Sequence, residues 1–252
     1  TNKALIWVKD RDVGNNHRLF DTVRGPGQGL SSNTAGGQFP EDSGITSFTS
    51  DGYVTGSSAG TNDNGSKIVA WNFRAAPGFM DIVTYEGGPA DKEVPHSLGS
   101  KPGMMIIKNI DASTNWVVYH QSLGATEFLR LNEVDNTSDS GDLAFNETEP
   151  TSTEFTVGSS TWDGTNADGV DYIAYLFADT PGTIKCGTYT PVFGQNTTSV
   201  ECGFQPGWVL IKDTETAEDW IIFDSKRGDN VLRPNTSSQD SNETSWGFDF
   251  TS

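Results

Sequence analysis

The chain is 252 residues long, and its 16 Lys and Arg against 34 Asp and Glu give a formal net charge of −18. Partners held through phosphates need clustered cations, so this balance argues against nucleic acid and against docking on an anionic membrane. No apolar run approaches the roughly 18 residues of a membrane span, and 28 Gly, 11 Pro, 7 Trp and 14 Phe describe turn-rich, aromatic-cored material, unlike a disordered acidic tail.

In chain order, the first predicted element is a hairpin, "LIWVKDRD" (5–12) returning through a polar turn into "HRLFDTVRG" (17–25). "SFTSDGYVTG" (47–56) follows, then "IVAWNFRA" (68–75), in which Val69, Trp71 and Phe73 recur at the spacing of a strand with one face in a core. "GFMDIVTYEG" (78–87) opens a fuller unit. Its hairpin "MMIIKNID" (104–111) and "WVVYHQSLG" (116–124) repeats the first one, with Lys108 in the place of Lys9, and "EFTVGSS" (154–160) and "YIAYLFAD" (172–179) keep the order. "GTIKCGTYTP" (182–191) starts a third copy, whose hairpin "VLIKDTE" (209–215) and "WIIFDSKRG" (220–228) brings Lys212 into register.

A self-similarity of about a hundred residues predicts tandem units, each large enough to bury a core. The expectation is an all-β chain of antiparallel β-sandwich, jelly-roll-like repeats arranged as beads on a string. Repeat 1 (1–76) lacks its opening strand, repeat 2 (77–181) is complete, and repeat 3 (182–252) stops at "FDFTS" before its last strands. The polypeptide is accordingly expected to continue beyond one or both ends.

Few residues have the appearance of chemistry. Cys186 and Cys202 fall where repeat 2 has Ile82 and Leu98, which predicts side chains facing a core and leaves buried thiols and a structural disulfide both open. Asp21 with Arg24 and Asp224 with Arg227 are predicted ion pairs at strand ends. His120 and Leu123 replace both members together in repeat 2, as a structural rather than a catalytic pair would allow. The three histidines, His17, His96 and His120, share no position and neighbour no nucleophile pattern, so neither a triad nor a zinc site is expected. No strand carries alternating acids of the kind used in glycoside hydrolysis, and the acidic cluster "ETAEDW" (215–220) is a hairpin turn.

The loops "TNDNGSK" (61–67) and "DGTNADGVD" (163–171) are rich in oxygen ligands but lack the residue order of a calcium loop, so they are expected to be turns, and no metal or cofactor is expected. Six N-x-[ST] triplets, Asn235 among them, matter only on a eukaryotic secretory route. Trp162 beside Asp163 and Asn166 is the candidate carbohydrate contact, since an exposed indole next to amide and carboxylate groups can grip a sugar face. An equally open reading has Trp162 capping the edge of a sandwich.

Together, "WVKDRDVGNNHRLFDTVRGPGQGLSSN", "SFTSDGYVTG", "IVAWNFRA", "IIKNIDASTNWVVYHQSLGATEFLRLN", "YIAYLFAD" and "GFQPGWVLIK" resemble a repeated domain of virion structural proteins, tail-fibre proteins among them, from marine and cyanobacterial tailed phages. The resemblance covers nearly the whole chain and implies a concanavalin A-like jelly roll with no catalytic signature to carry across. It implies a non-enzymatic protein of the virion surface, in a tail fibre or appendage that contributes to host attachment. Expected partners are other virion proteins, further copies in a homo-oligomer, and host-surface polysaccharide, with no nucleic acid and no membrane insertion. A capsid decoration protein is the alternative, and a polysaccharide-degrading jelly-roll enzyme a more distant one.

Overall fold

The computed structural model describes residues 3–158, 162, 164–191, 198–243 and 248–250. The fold is all-β and its strands pair antiparallel; among the described residues the one helix is a single turn, Ala59–Asn62, and none is long and apolar enough to cross a membrane.

The three predicted hairpins all form. Ala4–Asp10 pairs with Arg18–Asp21, Pro102–Asn109 with Val117–His120, and Trp208–Ile211 with Ile221–Asp224. A closing strand lies on the far side of the first two, Ile68–Arg74 beside Ala4–Asp10 and Asp171–Ala178 beside Pro102–Asn109. In repeat 2 the opening strand Met80–Glu86 then pairs along Asp171–Ala178, giving a six-stranded sheet that also takes in Glu127–Arg130 and Ser138–Asp139.

One device explains why each hairpin turns where it does. Lys9, Lys108 and Lys212 each send Nζ to the carbonyl of the next residue, at 2.6, 2.7 and 2.7 Å, and to a carbonyl four residues on. The Asp10, Asn109 and Asp213 side chains then accept the backbone N–H groups two and three residues ahead, which satisfies the turn locally. Lys9 and Lys108 are wholly buried in this arrangement.

Alternation along these strands sends side chains to two cores. In repeat 2, Met105, Ile107, Val117, Tyr119, Tyr172 and Leu176 face inward onto Phe155, Val94 and Leu98, a β-sandwich-like layer of its own. Repeat 1 has a smaller counterpart around Ile6, Val8, Phe20 and Ile45. The opposite faces meet in a single larger core: Leu5, Trp7, Leu19 and Trp71 from repeat 1, Ile106, Trp116, Tyr175 and Phe177 from repeat 2, and Trp220, Ile222 and Leu232 from repeat 3. The separate-bead arrangement therefore does not hold. Strands apolar on both faces must be covered twice, and the units cover one another.

The repeats close in a ring. Trp116 Nε1–H donates to Ser31 O in repeat 1 (3.0 Å), Trp220 Nε1–H to Arg130 O in repeat 2 (2.9 Å), and His17 Nε2 bonds Arg233 O in repeat 3 (3.1 Å). A second set runs round the same circle: Gln38 N–H to Ile110 O, Thr137 N–H to Thr214 O and Asp240 N–H to Arg11 O, at 2.7, 3.2 and 2.8 Å. Each set uses corresponding residues of the three copies, so the ring has pseudo-three-fold symmetry. Gly37 sits at one of these seams, where a Cβ would come within 2.8 Å of Ile110 O.

Candidate functional site

At the seam between repeats 1 and 2 a groove of about 250 Å³ is lined by Ala35, Ser113, Thr114, Asn115, Arg130, Trp162 and Gly164. Its floor is built on Glu127–Arg130, where Phe128 faces the repeat 2 core. The Trp162 ring tilts against Phe128 at 5.2 Å between centroids, and the Arg130 guanidinium lies over the Phe128 ring at 4.7 Å. Gly164 lets the indole settle, because a Cβ there would strike the six-membered ring of Trp162. Arg130 is further steered by Asp135 (3.2 Å) and Ser138 Oγ (3.1 Å), while its carbonyl receives the Trp220 seam bond.

Asn115 and Thr114 supply the polar rim. Asn115 Oδ1 accepts from Asn132, and Thr114 Oγ1 is buried with no hydrogen-bond partner among the described residues. An aromatic ring, a guanidinium and a few amide and hydroxyl groups in a shallow groove can hold a sugar ring by stacking and hydrogen bonding. Among the described residues the lining holds no carboxylate.

The candidates named from sequence separate here. Trp162 is half-buried and packs against the core, as the capping reading expects, and it also lines the groove. Asn166 is fully buried; it accepts from Gly88 N–H at 2.9 Å and donates to Ala90 O and Gly158 O, which corrects its assignment as a sugar contact. Asp163 lies outside the described residues. Arg130 and Asn115 escaped sequence reasoning. The signal available was the triplet "RLN" (130–132) recurring as "RPN" (233–235), whose last residues, Asn132 and Asn235, each accept the N–H of a buried Trp, at 2.8 and 3.2 Å. Asn235 is thus a buried cap.

The predicted ion pairs are in contact and do more than close a strand end. Arg24 Nε meets Asp21 Oδ2 at 2.6 Å and Arg227 Nε meets Asp224 Oδ2 at 2.5 Å, all four side chains buried. The same carboxylate oxygens then receive an aromatic donor from the next repeat, Tyr175 O–H on Asp21 at 2.9 Å and Trp71 Nε1–H on Asp224 at 3.1 Å. Burial works against the Asp224 charge, yet Arg227 and the Trp71 bond hold its carboxyl below the usual carboxylate range.

Cys186 and Cys202 are free thiols, so no disulfide joins them. Cys186 is buried with Sγ 3.4 Å from Ala178 O, and burial, then the charge of Asp179, pushes it up to about 12, an unreactive thiol. Cys202 is only partly buried, so it does not copy the fully buried Leu98. Of the histidines, His17 is the most constrained: it accepts Trp7 Nε1–H at 3.0 Å, and burial, then the charge of Lys9, lowers it to about 3. His96 and His120 are also lowered by burial.

A family model described as a domain of unknown function, DUF7483, matches residues 1–252. No curated protein and no solved structure matches the chain. With the whole length matched, the chain belongs to the DUF7483 family.

Proposed function

We propose that this chain is a non-enzymatic structural protein of a phage virion, carried on the particle surface in a tail fibre or related appendage, where it contributes to host attachment. In this reading its repeats are jelly-roll-like units that assemble with further copies and with other virion proteins. The observation that carries it is the closed ring. Three copies of one motif share a core and are tied by two circular sets of hydrogen bonds, an investment in stiffness rather than in a reactive centre. Buried charge is spent the same way: Asp21, Arg24, Asp224 and Arg227 join repeats, and His17 is held neutral between Trp7 and Arg233. The virion assignment itself rests on the resemblance of the ordered repeat motifs to phage structural proteins.

Polysaccharide is the ligand the groove suits, with Trp162 as the stacking face and Arg130 and Asn115 as the polar contacts. Such a contact is weak singly and gains by repetition over several subunits.

Immunogold labelling of virions with an antibody against this chain tests the assignment. Gold on tail-associated fibres is the expected result. Gold spread evenly over the head would make the chain a capsid decoration protein instead, and release of reducing sugar from host polysaccharide by the purified chain would overturn the non-enzymatic reading.

A further inference from the structure

The repeats differ at one cation beside the seam. Trp116 corresponds to Trp220 and "RLN" (130–132) to "RPN" (233–235), so Arg130 matches Arg233, Asn132 matches Asn235 and Asn115 matches Asp219. Arg233 is closed by its own repeat: Nε meets Asp219 Oδ2 and Nη2 meets Glu243 Oε1, both at 3.2 Å. Nη1 of each arginine is held by a serine, Ser138 at 3.1 Å and Ser241 at 3.0 Å. In repeat 2, however, Asn115 and Ser140 take the places of Asp219 and Glu243, and Asp135 reaches only Nη1, at 3.2 Å. Among the described residues nothing meets the Nε and Nη2 edge of Arg130.

The amide of Asn115 adds to this opening. Asn132 accepts the Trp116 N–H on Oδ1, so its Nδ2 must donate, and Asn115 turns Oδ1 to it at 2.8 Å. Asn235 donates to Asp219 Oδ1 in the same way, at 2.7 Å. Asn115 Nδ2 therefore stands where Asp219 carries the oxygen that Arg233 receives. A donor has replaced an acceptor beside a guanidinium edge that the fold leaves open. Thr114, on the same lining, brings a buried hydroxyl with no hydrogen-bond partner among the described residues. Donors of this kind around one gap fit a carboxylate, whose two oxygens take a guanidinium edge bidentately.

We propose that the groove between repeats 1 and 2 receives the carboxylate of an acidic sugar, a uronic acid-type residue carried on an otherwise neutral polysaccharide. This rests on the saccharide reading of the groove and specifies the charge of the sugar. Repeat 3 shows the filled form of the same arrangement, with Asp219 and Glu243 standing where the ligand carboxylate comes in repeat 2. Trp162 and Arg130 both touch Phe128 and both line the groove, so one sugar residue can meet the indole with its ring and the guanidinium with its carboxylate. A net charge of −18 repels a densely charged polymer. An isolated carboxylate is instead governed by local donors, because the wider field is screened beyond about 8 Å at physiological salt. An acidic peptide offers the same carboxylate without a saccharide ring for the indole.

The test is an NMR titration of the 252-residue chain with a xylo-oligosaccharide bearing a single glucuronate branch, and with its carboxyl-reduced, neutral form. Expected are saturable shifts of the Asn115 side-chain amide and the Trp162 indole N–H, with the neutral form binding about tenfold or more weakly. Asn115→Asp installs the carboxylate that repeat 3 already carries, so it should abolish the preference for the acidic sugar while the melting temperature stays at or above that of the parent. Equal binding of the acidic and neutral sugars, or an unchanged preference in Asn115→Asp, would overturn the carboxylate assignment and leave the saccharide reading standing. Binding of neither sugar would overturn both. A blocked Gly-Glu-Gly peptide that binds as tightly as the acidic sugar would make the ligand a protein carboxylate and overturn the sugar assignment.

Discussion

At the residue scale the most informative side chain is His17, the one departure from Trp in the ring of seam bonds. In the unfolded chain it takes up a proton near its ordinary value of about 6.5, but in the fold only near 3. Between those values the unfolded state holds more protons, so stability is complete above about 6.5 and falls as pH drops towards 3, by about 1.4 kcal/mol per unit. Denaturant titrations at pH 6.5 and 4.5 should differ by about 2–3 kcal/mol from this group alone, and His17→Gln should remove that component; an unchanged difference would show that His17 is not held neutral. The Asp21 clamp makes a second case. Asp21→Ala strands a buried guanidinium and should cost about 3–5 kcal/mol, while Tyr175→Phe, which only deletes the inter-repeat donor, should cost about 1–3 kcal/mol. A double-mutant cycle giving no coupling between the two would remove Asp21 from the seam. Sequence made the Asp–Arg spacing legible, but not Tyr175, because a donor 154 residues away leaves no local pattern.

At the element scale the repeated hairpins were readable, since two short apolar strands around a polar turn leave a period-2 signature, and Lys9, Lys108 and Lys212 fixed their register. What the strands face was not readable. A strand buried on both sides looks the same whether its second cover is its own sheet or a neighbouring repeat, and this is why separate beads were expected. Asn166 misled for a related reason: a polar residue in a Gly-rich loop suggests exposure, but here its amide replaces backbone partners that the loop cannot supply. The seam bonds predict element-level effects. Trp116→Phe deletes the donor to Ser31 O and trims a wholly buried ring, for about 2–4 kcal/mol measured by denaturant unfolding. Gly37→Ala should act as a wedge against Ile110 O, costing about 1–3 kcal/mol. Wild-type stability in either variant would mean that the seam is looser than its geometry.

At the scale of the whole molecule, three copies of a motif have become one body because none can cover both faces of its main sheet alone. The shared core contains the largest buried aromatics of each repeat, Trp7, Trp116 and Tyr175 among them, so opening one seam exposes surface in all three. Such a body suits a stiff surface appendage better than a flexible tether does. Calorimetry of the whole chain tests this most directly. The account predicts one transition whose van't Hoff and calorimetric enthalpies agree; two or three resolved transitions, or an isolated fragment 77–181 melting at the temperature of the intact chain, would contradict it.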